Sequence, residues 1–322
     1  MLLHLKTRSF QTPQSVYAAV DLFFLISGFV IAAAYDEARI ARIGVGGFIR
    51  ARLIRLYPTF LLGMLILPAY FAWVAVRDGA WLAEPGALLR SLAAGLVFLP
   101  SHLPSAEVWE QEALFPLDMP AWSLMFELAV NLAYVLLLPW LSRFVLVFIV
   151  IGSGLILMSS QIPLNGLDLG WSWPTLPWGF PRVTFSFFLG VLVARSRIPR
   201  PAIPAILVLA AIPALFWVPG WLAILIGFPL VLVAATRPGQ GPSRIMAALG
   251  ALSYPLYAIH YPLLHWTRPL FTAWEVPDPW LAPANLAVIL ACAILALKLW
   301  DAPMRRWLAR RWGTGGAGAP PI

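Results

Sequence analysis

Charge is scarce in this sequence. Of its 322 residues, 11% are Asp, Glu, Lys or Arg and 61% are apolar, whereas soluble domains run at about 25% charged and roughly 45–50% apolar. So little charged surface cannot cover a water-facing globule, and the chain reads as an integral membrane protein. Cysteine is nearly absent too. The single cysteine, Cys292, lies inside an apolar run, which excludes an internal disulfide framework and a multi-cysteine metal site. Acids are few beside bases, 14 against 22, for a net charge of +8. On a soluble protein that excess would raise nucleic acid as a partner. In a membrane protein it belongs to cytoplasmic loops, and no nucleic-acid partner is expected.

What the sequence does have is long apolar stretches. A helix crosses a bilayer core with about 20 apolar residues, and nine stretches qualify approximately: 17–35, 56–76, 121–141, 144–160, 182–195, 203–218, 221–236, 246–267 and 281–300. Pro213 and Pro229 should kink their helices, since each removes a backbone donor. Arginines cluster in 36–55, 195–200, 237–244 and after residue 304, which places those stretches in the cytoplasm. Segment 101–120 holds Glu107, Glu110, Glu112 and Asp118 with no Lys or Arg, and belongs outside. Alternation is kept if 88–100, short and bearing Arg90, re-enters or lies at the interface. The expected fold is all-α: a polytopic transmembrane helix bundle of about nine spans, with an outside N-terminus and a cytoplasmic C-terminus. Residues 1–312 form one membrane domain, and the Gly- and Pro-containing tail 313–322 is flexible. Met1 to His4 reads as the end of an apolar helix whose start is missing.

Ionisable groups inside spans are functional candidates by default. Here they are Asp21, Glu127, His260 and His265, with His4 and Asp301 near helix ends. Asp21 is either a working acid or a first-turn charge favoured by the helix dipole. Glu127 has Ser123 one turn away on the same helix face, and is either a second acid or a partner for arginine. His260 and His265 are five residues apart, on different faces, and make a poor two-histidine metal site; no metal is expected. Arg52 and Arg55, three apart, share a helix face and can grip a phosphate with forked guanidinium contacts, or serve only to hold a helix end inside. The segment Trp171 to Trp178 can stack sugars, but an interfacial aromatic belt predicts the same residues.

Taken in order, these motifs resemble the membrane acyltransferase-3 family. They are Val20-Asp21-Leu22-Phe23-Phe24-Leu25-Ile26-Ser27-Gly28-Phe29, then Phe48 to Pro58, Trp122-Ser123-Leu124 to Glu127, Leu252-Ser253-Tyr254-Pro255-Leu256-Tyr257 with His260, and Trp300-Asp301-Ala302-Pro303 before a basic tail. The resemblance covers nearly the whole chain. It implies ten helices, which nine spans and a truncated first helix would match. It also implies transfer of an acyl group, often acetyl, from acyl-coenzyme A to hydroxyls of cell-surface sugars and similar acceptors, in the bacterial inner membrane. Acyl-coenzyme A is then a co-substrate, and no permanently bound cofactor is implied. His4 falls where the family's catalytic histidine stands, although the arginine that usually precedes it is absent.

On that resemblance His4 is the general base, Asp21 its orienting acid and Glu127 a second acid or an arginine partner. Arg52 and Arg55 hold the phosphates of coenzyme A, and Ser123, Tyr257 and His260 line the substrate cavity. Two other classes stand beside this one. A proton-coupled exporter also uses intramembrane acids, histidines and Pro-broken helices, and a catalytically impaired subunit of a polysaccharide-modification assembly could keep the bundle alone.

Overall fold

The computed structural model describes residues 13, 15–78, 85–103, 111–160, 166–196, 203, 205–236 and 244–312. Among them the chain is all-helical, with one isolated β-bridge between Ala113 and Ser172. Its helices are α1 (Ala19–Ala34), α2 (Glu37–Asp78), α3 (Pro85–Leu96), α4 (Ala121–Leu137), α5 (Arg143–Ser159), α6 (Leu176–Arg195) and α7 (Ala205–Leu215). They continue as α8 (Gly220–Ala235), α9 (Arg244–Ala273), α10 (Asp278–Leu295) and α11 (Ala302–Arg311).

Among the described residues five helical stretches are long and apolar enough to cross a membrane: Val16–Ala34, Glu37–Asp78, Ala121–Trp140, Leu176–Arg195 and Asp278–Arg311. Arg143–Ser159 and Gly220–Ala235 are apolar but shorter. Nine crossings are therefore not confirmed, and proline is one physical reason. Stretch 203–218 yields only α7, 11 residues with Pro213 inside, about 16 Å at 1.5 Å per residue. Pro229 follows a π-turn, Ala223–Gly227, and this irregular turn stands where a proline kink was expected. Helix α3, at 12 residues and about 18 Å, is too short to cross. Outward-facing Phe144, Phe148 and Leu155 on α5 are strongly exposed, as side chains that meet lipid should be.

The arginine-rich stretch 36–55 is helical from Glu37 on. Helix α2 breaks at Gly44, whose φ of 66° and ψ of 168° lie in the region that favours glycine. The helix then resumes and carries Arg50, Arg52 and Arg55, of which Arg52 is buried. Helices α1 and α6 meet so closely that each offers a glycine to the other's backbone. A Cβ on Gly28 would sit 1.9 Å from the Phe187 carbonyl oxygen, and one on Gly190 would sit 2.0 Å from that of Leu25. Small residues at such crossings let backbones touch, which is how helices associate where lipid removes the hydrophobic drive. Helix α9 packs on α2 and α10, and α4 on α2 and α6. At the end where α4 and α6 begin, loops 111–120 and 166–175 join through Leu114 N–H to the Trp171 carbonyl (2.9 Å) and Trp173 N–H to the Glu112 carbonyl (3.0 Å).

Candidate active site

The polar groups inside this apolar bundle fall into three neighbouring sets. At the head of α1, Asp21 is buried and meets Arg182 of α6. Arg182 donates from Nη2 to Asp21 Oδ2 at 2.7 Å and from Nε to both oxygens at 3.1 Å. Ser186 Oγ donates to Oδ1 at 3.2 Å. Two further guanidinium protons go to the carbonyls of Leu169 (2.7 Å) and Tyr17 (3.1 Å), and the rings of Tyr17 and Trp122 flank the cation. Two buried charges persist in a low-dielectric interior only when paired and hydrogen-bonded this completely. His4, the base expected to work with Asp21, lies outside the described residues.

Farther along α1, Glu127 of α4 is buried. Its Oε1 accepts from Ser27 Oγ at 2.6 Å and from Asn131 Nδ2 at 3.1 Å, while Oε2 has no hydrogen-bond partner among the described residues. Arg55 lies close enough for the Glu127 charge to act on it, as do those of Arg52 and Arg305. Arg55 is exposed. Arg52 is buried over the rings of Tyr35 and Phe48, with Nη2 donating to Tyr35 Oη at 3.3 Å and Nε without a partner among the described residues. One turn of helix separates the two arginines, yet burial divides them. Arg305 is paired with Asp301, which also accepts from Thr59 Oγ1 at 2.7 Å. The charges of Arg52, Arg55 and Arg305 thus act on one another, with Glu127 and Asp301 within the same reach.

The third set joins α4 to α9. Ser123 Oγ and Tyr257 Oη are 2.8 Å apart, and both reach the Pro120 carbonyl, at 3.1 and 3.0 Å. Phe23 stacks on Tyr257 with ring centroids 6.5 Å apart. His260 is buried one turn on, its Nδ1 2.6 Å from the Tyr257 carbonyl. Tyr257 also lies within the electrostatic reach of Arg182 and Asp118. Ser123, Tyr257 and His260 are thus brought together where α4 meets α9. No group of three or more His, Cys, Asp or Glu able to hold a metal exists among the described residues.

A family model described as an acyltransferase domain, that of acyltransferase-3, matches residues 1–298. The chain belongs to the acyltransferase-3 family. It is 26% identical over 339 aligned positions to "Acyltransferase MdmB" of Streptomyces mycarofaciens, covering 91% of this chain and 82% of that protein. It is 42% identical over 130 positions to "Protein 2 in picA locus" of Rhizobium radiobacter, covering 38% of this chain and 66% of that protein. No solved structure matches. Family membership and helical character make it a membrane acyltransferase with several bilayer-crossing helices.

Within this acyltransferase, sequence reasoning overlooked three groups. Arg182 stands at the edge of the stretch 182–195, and an arginine opening an apolar stretch falls under the same rule that flags Asp21. Arg305 was counted as tail charge. Asp118 was counted among the acids of an outside loop, yet it is fully buried. Nothing in local composition signals that, because its burial comes from the packing of α2 and α9 over the turn before α4.

Proposed function

We propose that this acyltransferase works on oxygen. It moves an acyl group, acetyl in the simplest case, from acyl-coenzyme A to a hydroxyl of a cell-surface carbohydrate or similar acceptor, in the bacterial inner membrane with its C-terminus in the cytoplasm. The observation that supports this best is the cluster of Arg52, Arg55 and Arg305 beside Glu127 and Asp301. A chain so poor in charge has little reason to concentrate three guanidinium groups except to meet a polyanion, and coenzyme A carries its phosphates at one end. Arg52 and Arg55 hold those phosphates through charge-assisted contacts.

The pantetheine arm then carries the thioester along the bundle, past Glu127, toward Ser123, Tyr257 and His260, which line the acceptor's path. His4 takes the proton of the acceptor hydroxyl. The freed oxygen attacks the thioester carbonyl carbon, the tetrahedral oxyanion collapses, the C–S bond breaks, and the coenzyme thiolate recovers the proton from the His4 imidazolium. Asp21, fixed in place by Arg182 and Ser186, is the acid that orients His4. Glu127, with one oxygen unpaired among the described residues, is the second acid.

The test is reconstitution of the full-length protein in proteoliposomes with radiolabelled acetyl-coenzyme A and a panel of cell-surface glycans. Label should reach a glycan with the wild type and not with His4→Ala. Transfer that survives His4→Ala removes His4 from the mechanism. Glycan movement with no label transfer would mark an exporter instead.

A further inference from the structure

One buried acid has no part in that reaction. Asp118 stands in the turn before α4, is 0% exposed, and neither of its carboxylate oxygens has a hydrogen-bond partner among the described residues. An ionised carboxylate left this way is far costlier than a neutral one, and burial pushes this carboxyl well above the usual carboxylate range.

An acceptor in need of a donor lies beside it. Pro262 sits inside α9 and has no N–H, so the carbonyl four residues earlier, that of Ala258, loses its helical partner. In a bilayer such a freed carbonyl must be satisfied from within the protein. Gly63 of α2 shows where the two meet: a Cβ there would lie 2.4 Å from the Ala258 carbonyl oxygen and 2.8 Å from Asp118 Oδ2. A carboxyl without a hydrogen-bond partner among the described residues and a carbonyl that Pro262 cannot serve therefore both border the bare Cα of Gly63.

We propose that Asp118 is a proton-holding positioning residue: as the neutral acid it donates its hydroxyl to the Ala258 carbonyl that Pro262 leaves open. This clasp fixes the middle of α9, and with it Tyr257 and His260, against α2 and the turn before α4. One proton stays on one acid, and nothing is transferred. Tyr254 and Tyr257 of α9 are within reach of its charge, and both are neutral near neutral pH. From α2 the contact is Gly63, and burial is what raises the carboxyl.

The clasp goes beyond the acyl-transfer reading and does not rest on it, so its test needs no substrate. The sign follows from linkage. The unfolded carboxyl ionises at its ordinary low value while the folded one keeps its proton, so this group's contribution to stability falls as pH rises between the two. Asp118→Asn keeps a donor and removes the titration. Its unfolding temperature should therefore rise relative to wild type, the gap widening from about pH 5 to about pH 8. Asp118→Leu, with no donor, should lose the same pH dependence and unfold below Asp118→Asn throughout.

Infrared spectra of the purified protein at neutral pH should show a carboxylic-acid C=O band that Asp118→Asn removes. If Asp118→Asn does not fold, carbon-13 labelling of aspartate carboxyls in the wild type still reads the band by its shift. Absence of any aspartic-acid band, or an Asp118→Asn protein that loses ground to wild type as pH rises, would overturn the proposal.

Discussion

Arg182 and Asp21, 161 residues apart in the chain, close an ion pair at 2.7 Å with both side chains 1% exposed. The pair ties the first turn of α1 to α6 at one end of their long contact, while Gly28 and Gly190 set the approach farther along. Removing one member of such a pair strands a buried charge, at a cost of about 3–5 kcal/mol. Arg182→Met should therefore lower the unfolding temperature sharply. The double variant Arg182→Met with Asp21→Leu should recover most of the loss, because an apolar pair of similar volume fits the same space. Equal losses in the single and double variants would show that the charge pairing is not what holds these helices.

That pair also marks what was legible in the sequence. Membrane class, helical fold and the acid at position 21 followed from composition, apolar run length and the expense of intramembrane charge. Ser123, Tyr257 and His260 were singled out from short motifs, and the bundle gathers them. The partners were not legible. Arg182, Arg305 and Asp118 sit at span edges or in turns, where charge is ordinary, and only the packing of distant helices buries or aligns them. The nine spans are not all confirmed for a related reason: hydropathy adds up residues but does not see where Pro213 or a π-turn interrupts a helix.

The glycine contact between α1 and α6 gives a second prediction. A side chain at Gly28 meets backbone of Phe187, and one at Gly190 meets backbone of Leu25; neither neighbour can step aside by changing rotamer. Overpacking of this kind costs at least about 1–3 kcal/mol. Gly28→Val and Gly190→Val should each lower the unfolding temperature in detergent, and together lose less than the sum, since either one already parts the helices. Full additivity would mean that the two positions do not share a contact.

Glu127 can be separated into its two roles. Gln at this position keeps a carbonyl oxygen for Ser27 and Asn131, so Glu127→Gln should fold with a stability change within about 1 kcal/mol. It removes the negative charge and the proton acceptor. If Glu127 is the second acid, kcat for acetyl transfer should fall about 100-fold or more, with a smaller change in KM. A change confined to the KM for acetyl-coenzyme A would assign Glu127 to balancing the arginines instead.

The arginines themselves should divide by burial. Arg55 is exposed, so Arg55→Gln should leave stability nearly unchanged and raise the KM for acetyl-coenzyme A about tenfold. That corresponds to about 1.4 kcal/mol, near the lower end of a charge-assisted hydrogen bond. Screening predicts the same direction without any mutation, since salt weakens an exposed phosphate contact far more than a buried one. The wild-type KM should climb with ionic strength and that of Arg55→Gln should climb less. Arg52 is buried against Tyr35 and Phe48, so Arg52→Gln should lower both stability and donor binding, because its guanidinium packs as well as pairs. A salt response that is unchanged in both variants would place the coenzyme phosphates elsewhere.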